Sequence, residues 1–189
     1  MGLWDALTGK TKPVSANLDA LFSLPAAAVT LQTAADFSPT GTGSVCFRAA
    51  EGAAFAQTQR DVVTLLDNDD DPDVEVSTDS FGFTWLLARQ GPDDLAALVT
   101  DLHTVNTSLE AQGFGSSLLC SLVGFTDQSG RRLGLVYLYK QGTFYPFAPT
   151  GPQQRDNLLE IQVRDLLKSD LPVEPQLNRW MPLWGAPGV

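Results

Sequence analysis

Leu118-Leu119-Cys120-Ser121-Leu122-Val123-Gly124-Phe125, Arg132-Leu133-Gly134-Leu135-Val136-Tyr137-Leu138-Tyr139 and Thr143-Phe144-Tyr145-Pro146-Phe147 are three apolar runs separated by two short polar segments, Asp127-Gln128-Ser129-Gly130 and Gln141-Gly142. Runs of this length, rich in β-branched and aromatic residues and joined by turn chemistry, predict an antiparallel meander. Both faces of Leu133–Leu138 are apolar, which predicts a central strand covered on two sides.

Upstream, Gly91-Pro92-Asp93-Asp94 predicts the start of the strongest helix. Pro92 suits a first turn, and the carboxylates suit the positive end of the helix dipole. Leu95, Leu98, Leu102, Val105 and Leu109 form its stripe, and Gly113 stops it. Further back, Val74 and Val76 alternate with Glu75 and Ser77, and Phe81, Phe83, Trp85 and Leu87 form a second alternating run. These predict a hairpin whose first strand is half-buried. Phe55–Leu66 reads as a helix and Ser44–Arg48 as a strand, with Ser38–Gly43 as turn chemistry. Asn17 to Leu24 predicts a short helix, with Pro25 opening a further turn. Downstream, Pro152–Lys168 reads as the last helix, with Leu159, Val163, Leu166 and Leu167 inward.

This order predicts an α+β single domain, an antiparallel sheet with a C-terminal three-strand meander flanked by helices. Residues 1–16 are an N-terminal arm, 17–170 the domain, and 171–189 a Pro- and Trp-containing tail packing on it.

The 189 residues are 43 % apolar and 18 % charged, as in a globular chain. The net charge of −10 repels phosphate backbones, which argues against nucleic-acid binding. Residues 1–12 lack the apolar run of a secretory signal, and the uncharged stretch Ala20–Ala35 is too short for a span. The expected setting is cytoplasmic. Cys46 and Cys120 read as two buried thiols.

Chemistry-bearing motifs are weak. Asp67, Asp69, Asp71 and Asp73 alternate like calcium ligands. An EF-hand loop starting at Asp67 would need Gly and Glu where Pro72 and Thr78 stand; one starting at Asp69 would find Val74 and Ser80 there. A solvated loop is expected. His103, the one histidine, reads as the flank of a packed helix, since no Gly-x-Ser-x-Gly elbow presents a serine. Gly41-Thr42-Gly43-Ser44 lacks the rest of a phosphate-cradle motif. No catalytic, cofactor or metal residue is assigned. Two sets of candidate interaction residues remain. One is Leu3, Trp4 and Leu7 of the arm, which either packs on its own domain or docks on a partner or membrane surface, where Lys10 and Lys12 would suit an anionic lipid surface. The other is the aromatic group Phe144, Tyr145, Phe147, Trp180 and Trp184.

Met1-Gly2-Leu3-Trp4-Asp5-Ala6-Leu7, Asn17-Leu18-Asp19-Ala20-Leu21-Phe22, Glu51-Gly52-Ala53-Ala54-Phe55 and Val74-Glu75-Val76-Ser77-Thr78-Asp79 form a distinctive set. With them stand Leu135-Val136-Tyr137-Leu138-Tyr139-Lys140, Gly142-Thr143-Phe144-Tyr145-Pro146-Phe147-Ala148-Pro149 and Pro182-Leu183-Trp184-Gly185. Through these blocks the chain resembles, nearly end to end, the PspAB type of phage-shock-protein-A-associated family. The resemblance implies a cytoplasmic accessory of an envelope-stress response built around the membrane-remodelling protein PspA. It also implies gene neighbourhood with a membrane metalloprotease of the HtpX type. It carries no enzymatic activity and no residue roles. The expectation is therefore a non-enzymatic adaptor that binds a PspA-like protein, with peripheral contact at the inner membrane face through the arm. A peptide-binding chaperone-like module and a small-molecule or metal-dependent enzyme are the alternatives.

Overall fold

The computed structural model describes residues 17–67 and 74–189. Six antiparallel strands form one sheet in the order β2-β3-β1-β4-β5-β6. They are β1 (Ser38–Phe47), β2 (Glu75–Thr78), β3 (Thr84–Arg89), β4 (Leu118–Thr126), β5 (Arg132–Leu138) and β6 (Thr143–Phe147). The helices are α1 (Leu24–Ala35), α2 (Ala53–Leu66), α3 (Leu95–Ala111) and α4 (Asn157–Leu167), and a 3-10 turn (Leu18–Ser23) leads into α1. The chain is thus α+β, and the meander is β4-β5-β6. β5 lies between its two neighbours with Leu133, Leu135 and Tyr137 in one buried cluster and Val136 in another.

The two clusters are the two faces of the sheet. The larger holds the apolar sides of all four helices, including Leu98, Leu102 and Val105 of α3 and Leu159 and Val163 of α4. The smaller holds Cys46, Trp85, Cys120, Leu122, Val136, Tyr145 and Phe147, closed by Trp180 and Ala186 of the tail. α3 starts later than the sequence suggests: Pro92 and Asp93 precede it, and Asp94 is its cap. Asp94 accepts a hydrogen bond from the Ala97 amide at 3.0 Å, capping one of the free amides of the first turn. Its C-terminal stop is Gly113, at φ +84°. Across the sheet, the Asn106 amide donates to the Ser121 hydroxyl at 2.9 Å, both buried.

The structure corrects several boundaries. Ser38–Gly43 is the first half of β1 and not a turn. The register with β4 shifts between Pro39 and Gly43, and Gly41 sits at φ +76° where a Cβ would meet the Gln90 carbonyl. Glycine here marks a bulge inside a strand. β2 is exposed along its length and is not half-buried. Phe81 is 75 % exposed in the turn before β3. Pro152 does not start the last helix. It lies in a small hairpin, β7 (Pro149–Gly151) with β8 (Gln154–Arg155). Asp156 then caps α4 by accepting from the Leu159 amide at 2.9 Å. The helical stretch Leu18–Ala35 begins two residues before the uncharged run. At 18 residues and a mean hydropathy of 1.2 it is long and apolar enough to cross a membrane by length and composition. Leu21, Leu24, Ala27 and Leu31 within it belong to the larger core.

Candidate functional site

Strand alternation decides where the aromatic candidates go. β6 pairs only with β5 on its inner side, so Phe144 faces the helices, while Tyr145 and Phe147 face the opposite way. The outer edge of β6 is closed by the tail itself. The Phe144 amide donates to the Pro172 carbonyl at 2.8 Å, and the Glu174 amide to the Phe144 carbonyl at 2.7 Å. The chain then crosses the open face. Trp180 stacks on Tyr145 with centroids 6.0 Å apart at 21°, and Trp184 meets Phe147 edge-on at 5.2 Å. The Tyr145 hydroxyl donates to the Met181 carbonyl at 2.8 Å, and Trp180 Nε1 to the Glu174 carbonyl at 3.0 Å. Phe144, Tyr145, Phe147 and Trp180 are therefore buried, and Trp184 is half-buried. Their contacts are internal, with the tail folded back over the sheet. Leu3, Trp4 and Leu7 lie outside the described residues, as do Asp69, Asp71 and Asp73 of the acidic loop.

Two buried carboxylates fasten this strap. Glu160 of α4 accepts from the Ala148 amide at 2.8 Å and from Arg155 Nε at 2.8 and 3.0 Å. Arg155 Nη1 in turn donates to the Trp180 carbonyl at 2.8 Å, and its guanidinium lies 5.1 Å above the Phe147 ring. Glu174 accepts from the Thr143 hydroxyl at 2.7 Å and the Gln176 amide at 2.9 Å. Burial alone would raise its pKa, but these donors and the Arg179 charge hold it below the usual carboxylate range. Sequence reasoning missed both groups. At the sequence level each is one acidic residue among 22, and only their distance in space from Arg155 and Thr143 reveals the role.

The remaining candidates have structural partners too. His103 Nε2 lies 3.3 Å from Asp19 Oδ1, and its ring packs on Phe22 at 4.8 Å. Asp79 takes hydrogen bonds from the Phe81 and Phe83 amides and Trp85 Nε1, organising the turn before β3. The Tyr137 hydroxyl donates to the Asn17 carbonyl at 2.7 Å, and its pKa is pushed up to about 12 by burial and then by the Glu110 charge. Cys46 and Cys120 are free, buried and directly opposite across β1 and β4. An open groove of about 500 Å³ runs between α2 and α3, lined by Ala54, Gln57, Thr58, Val62, Leu65 and Phe114 among others. Asp61, Ser108 and Gln112 add polar groups to this mostly apolar lining. Among the described residues, no three His, Cys, Asp or Glu side chains come together as metal ligands.

Neither a curated protein nor a solved structure matches the chain. A family model described as PspA associated protein B matches residues 1–188. The chain belongs to the PspAB family, a set of accessories of the PspA system whose name implies association with PspA itself.

Proposed function

We propose that the chain is a non-enzymatic, cytoplasmic adaptor of the envelope-stress response that binds a PspA-like protein. The observation that carries this reading is the family match across residues 1–188. The geometry supports it. Glu160, Glu174, Asp79, Asn106 and His103 each have an internal partner, so these groups act in holding the fold. The binding element in this reading is the arm, where the sequence spacing of Leu3, Trp4 and Leu7 would gather them on one face if the segment became helical on binding. A helix of so few turns needs a packing partner to form in water. The described residues that follow it expose Phe22 and Val29, which extends the apolar surface offered to a partner.

The test is a binding titration between the purified chain and the purified PspA-like protein from the same host. Truncating an interface anchor costs more than about 1 kcal/mol, and 1.4 kcal/mol is about tenfold in affinity. The triple variant Leu3→Ala, Trp4→Ala, Leu7→Ala is expected to weaken binding by at least that factor with its melting temperature unchanged. Wild-type protein that fails to bind PspA but binds anionic vesicles would replace the adaptor reading with direct membrane contact.

A second reading has one specific observation behind it. The outer edge of β2 has no partner strand among the described residues, and all four of its residues are exposed. Such an edge accepts an added strand from a peptide. Hydrogen-exchange protection appearing at residues 75–78 on adding the partner would favour this mode over the arm.

A further inference from the structure

Cys46 and Cys120 are register partners in the two central strands, β1 and β4. Directly opposed residues of an antiparallel pair have Cα atoms about 4.5 to 5.5 Å apart. A disulfide accepts Cα separations of about 4.4 to 6.8 Å, so the backbone spacing of a directly opposed pair falls within the range a bridge spans. Both side chains also point to the same face. They share the smaller cluster with Trp85, Tyr145 and Trp180. Next to the pair the register slips. Cys46 faces Cys120, but Phe47 faces Leu118, leaving Leu119 as an extra residue on β4. A bulge at this point frees the local twist of β4, which helps two opposed sulfurs settle into bonding geometry.

We propose that Cys46 and Cys120 form a reversible modification site, a thiol pair that peroxide closes into a cross-strand disulfide beneath the tail. One thiol ionises and attacks an oxygen of hydrogen peroxide. The O–O bond breaks, leaving a sulfenic acid, and the departing hydroxide takes a proton to become water. The second sulfur, as thiolate, then attacks the sulfenic sulfur. The S–S bond forms, and the hydroxyl leaves and is protonated to a second water. Two thiols lose two electrons in all, and one peroxide gains them. The first step is gated. Burial and the neighbouring sulfur keep Cys46 protonated, and Trp180 and Tyr145 pack in the same cluster. Oxidation therefore follows opening of the tail, and a variant that loosens the tail oxidises faster. The bridge joins residues 46 and 120, closing a loop that contains α2, β2, β3 and α3. Thiol reductants restore the free pair.

The test uses the purified full-length chain, fully reduced, with excess hydrogen peroxide at mildly alkaline pH. Samples are quenched with N-ethylmaleimide in denaturant and weighed intact. The expected product is a monomer lighter by about 2 Da that takes up no maleimide, with a Cys46–Cys120 peptide on digestion. Trp180→Phe, which keeps an aromatic ring but drops the Nε1 bond to Glu174, is expected to raise the oxidation rate severalfold. The Cys46→Ser and Cys120→Ser chains must each give no intramolecular product. The incubation runs well past the time at which the same chain in denaturant is fully oxidised. Two maleimides still taken up by the native chain at that point would overturn the proposal. So would disulfide-linked dimers or sulfinic acids as the only products.

Discussion

Replacing Trp180 by alanine tests whether the tail is part of the core or an attachment to it. The indole is 6 % exposed, stacks on Tyr145 and donates to the Glu174 carbonyl. Removing a buried Trp or Phe ring costs about 3–5 kcal/mol, through lost burial and the cavity left behind. The aromatic pairing, about 0.5–1.5 kcal/mol, is part of that figure. A domain of this size loses about 2–4 °C per kcal/mol, so the melting temperature should fall by about 6–20 °C. Native domains hold only about 5–15 kcal/mol in total, so the loss is a large fraction of it. Trp180→Phe separates the contributions. It keeps most of the ring packing but leaves the Glu174 carbonyl without its indole donor, at about 1–3 kcal/mol. The assay is urea unfolding followed by far-ultraviolet circular dichroism, since four tryptophans would make emission ambiguous. A loss below about 1 kcal/mol for the alanine variant, with the slope against urea unchanged, would refute the claim that the tail closes the sheet.

Glu160→Ala should cost about 3–5 kcal/mol in the same assay, because it strands the Arg155 guanidinium in a buried site, whereas Glu160→Gln, retaining one acceptor oxygen, should cost less. Stability should also fall in acid. Burial would raise the Asp127 pKa, but hydrogen bonds from Arg131 and Ser129 hold it at about 2, below the unperturbed 3.8. The unfolded chain therefore binds more protons across that interval, so the contribution is present above about pH 4 and is lost as pH drops towards 2. Asp127→Asn should flatten this part of a urea-midpoint against pH curve, and an unchanged curve would count against the assignment. Gly41→Ala is expected to destabilise through both its φ of +76° and the collision with the Gln90 carbonyl. A thermal melt equal to wild type would show that the bulge can relax.

Local patterns carried most of the fold. The meander and α3 were legible because alternation, helical spacing and caps agree with their tertiary setting. Ser38–Gly43 misled because proline and glycine punctuate bulges as well as turns, and only the partner strand distinguishes the two. Val76 misled for a related reason. Its alternation with Glu75 and Ser77 is genuine, but whether either face is covered depends on what reaches the sheet edge, and all four residues of β2 are exposed. The aromatic group was visible as a group. Its direction was not, because the residues that cover Tyr145 and Phe147 lie more than thirty positions downstream, at Trp180 and Trp184. Glu160 and Arg155 were the least legible, since a buried ion pair looks in sequence like two surface charges.

The position of the tail narrows where a partner can bind. All four helices pack in the larger cluster, so a six-stranded sheet with apolar residues on both faces needs a second cover. The last nineteen residues supply it with one short 3-10 turn, Leu177–Arg179, two tryptophans and the buried Glu174, tied down also by Glu160 of α4 through Arg155. Gly124 shows how close that cover lies, because a Cβ there would meet the Gly188 carbonyl and the Thr40 hydroxyl, and Thr42 Oγ1 donates to that same Gly188 oxygen at 3.1 Å. A partner that displaced the tail would expose Tyr145, Phe147 and Leu122 to water, at about 25 cal/mol for each Å² of apolar surface uncovered, whereas one resting on the tail would meet the exposed Leu177 and Met181. The helical side meets no such barrier. Phe22, Val29 and Leu65 are already exposed there, and the N-terminal arm joins the described fold at its first helical turn. Partner binding on the helical side and thiol oxidation beneath the tail would then occupy opposite faces of the same sheet. A disulfide between Cys46 and Cys120 should accordingly leave the affinity for a PspA-like protein unchanged, and a loss of binding on oxidation would show that the two faces are coupled through β1 and β4.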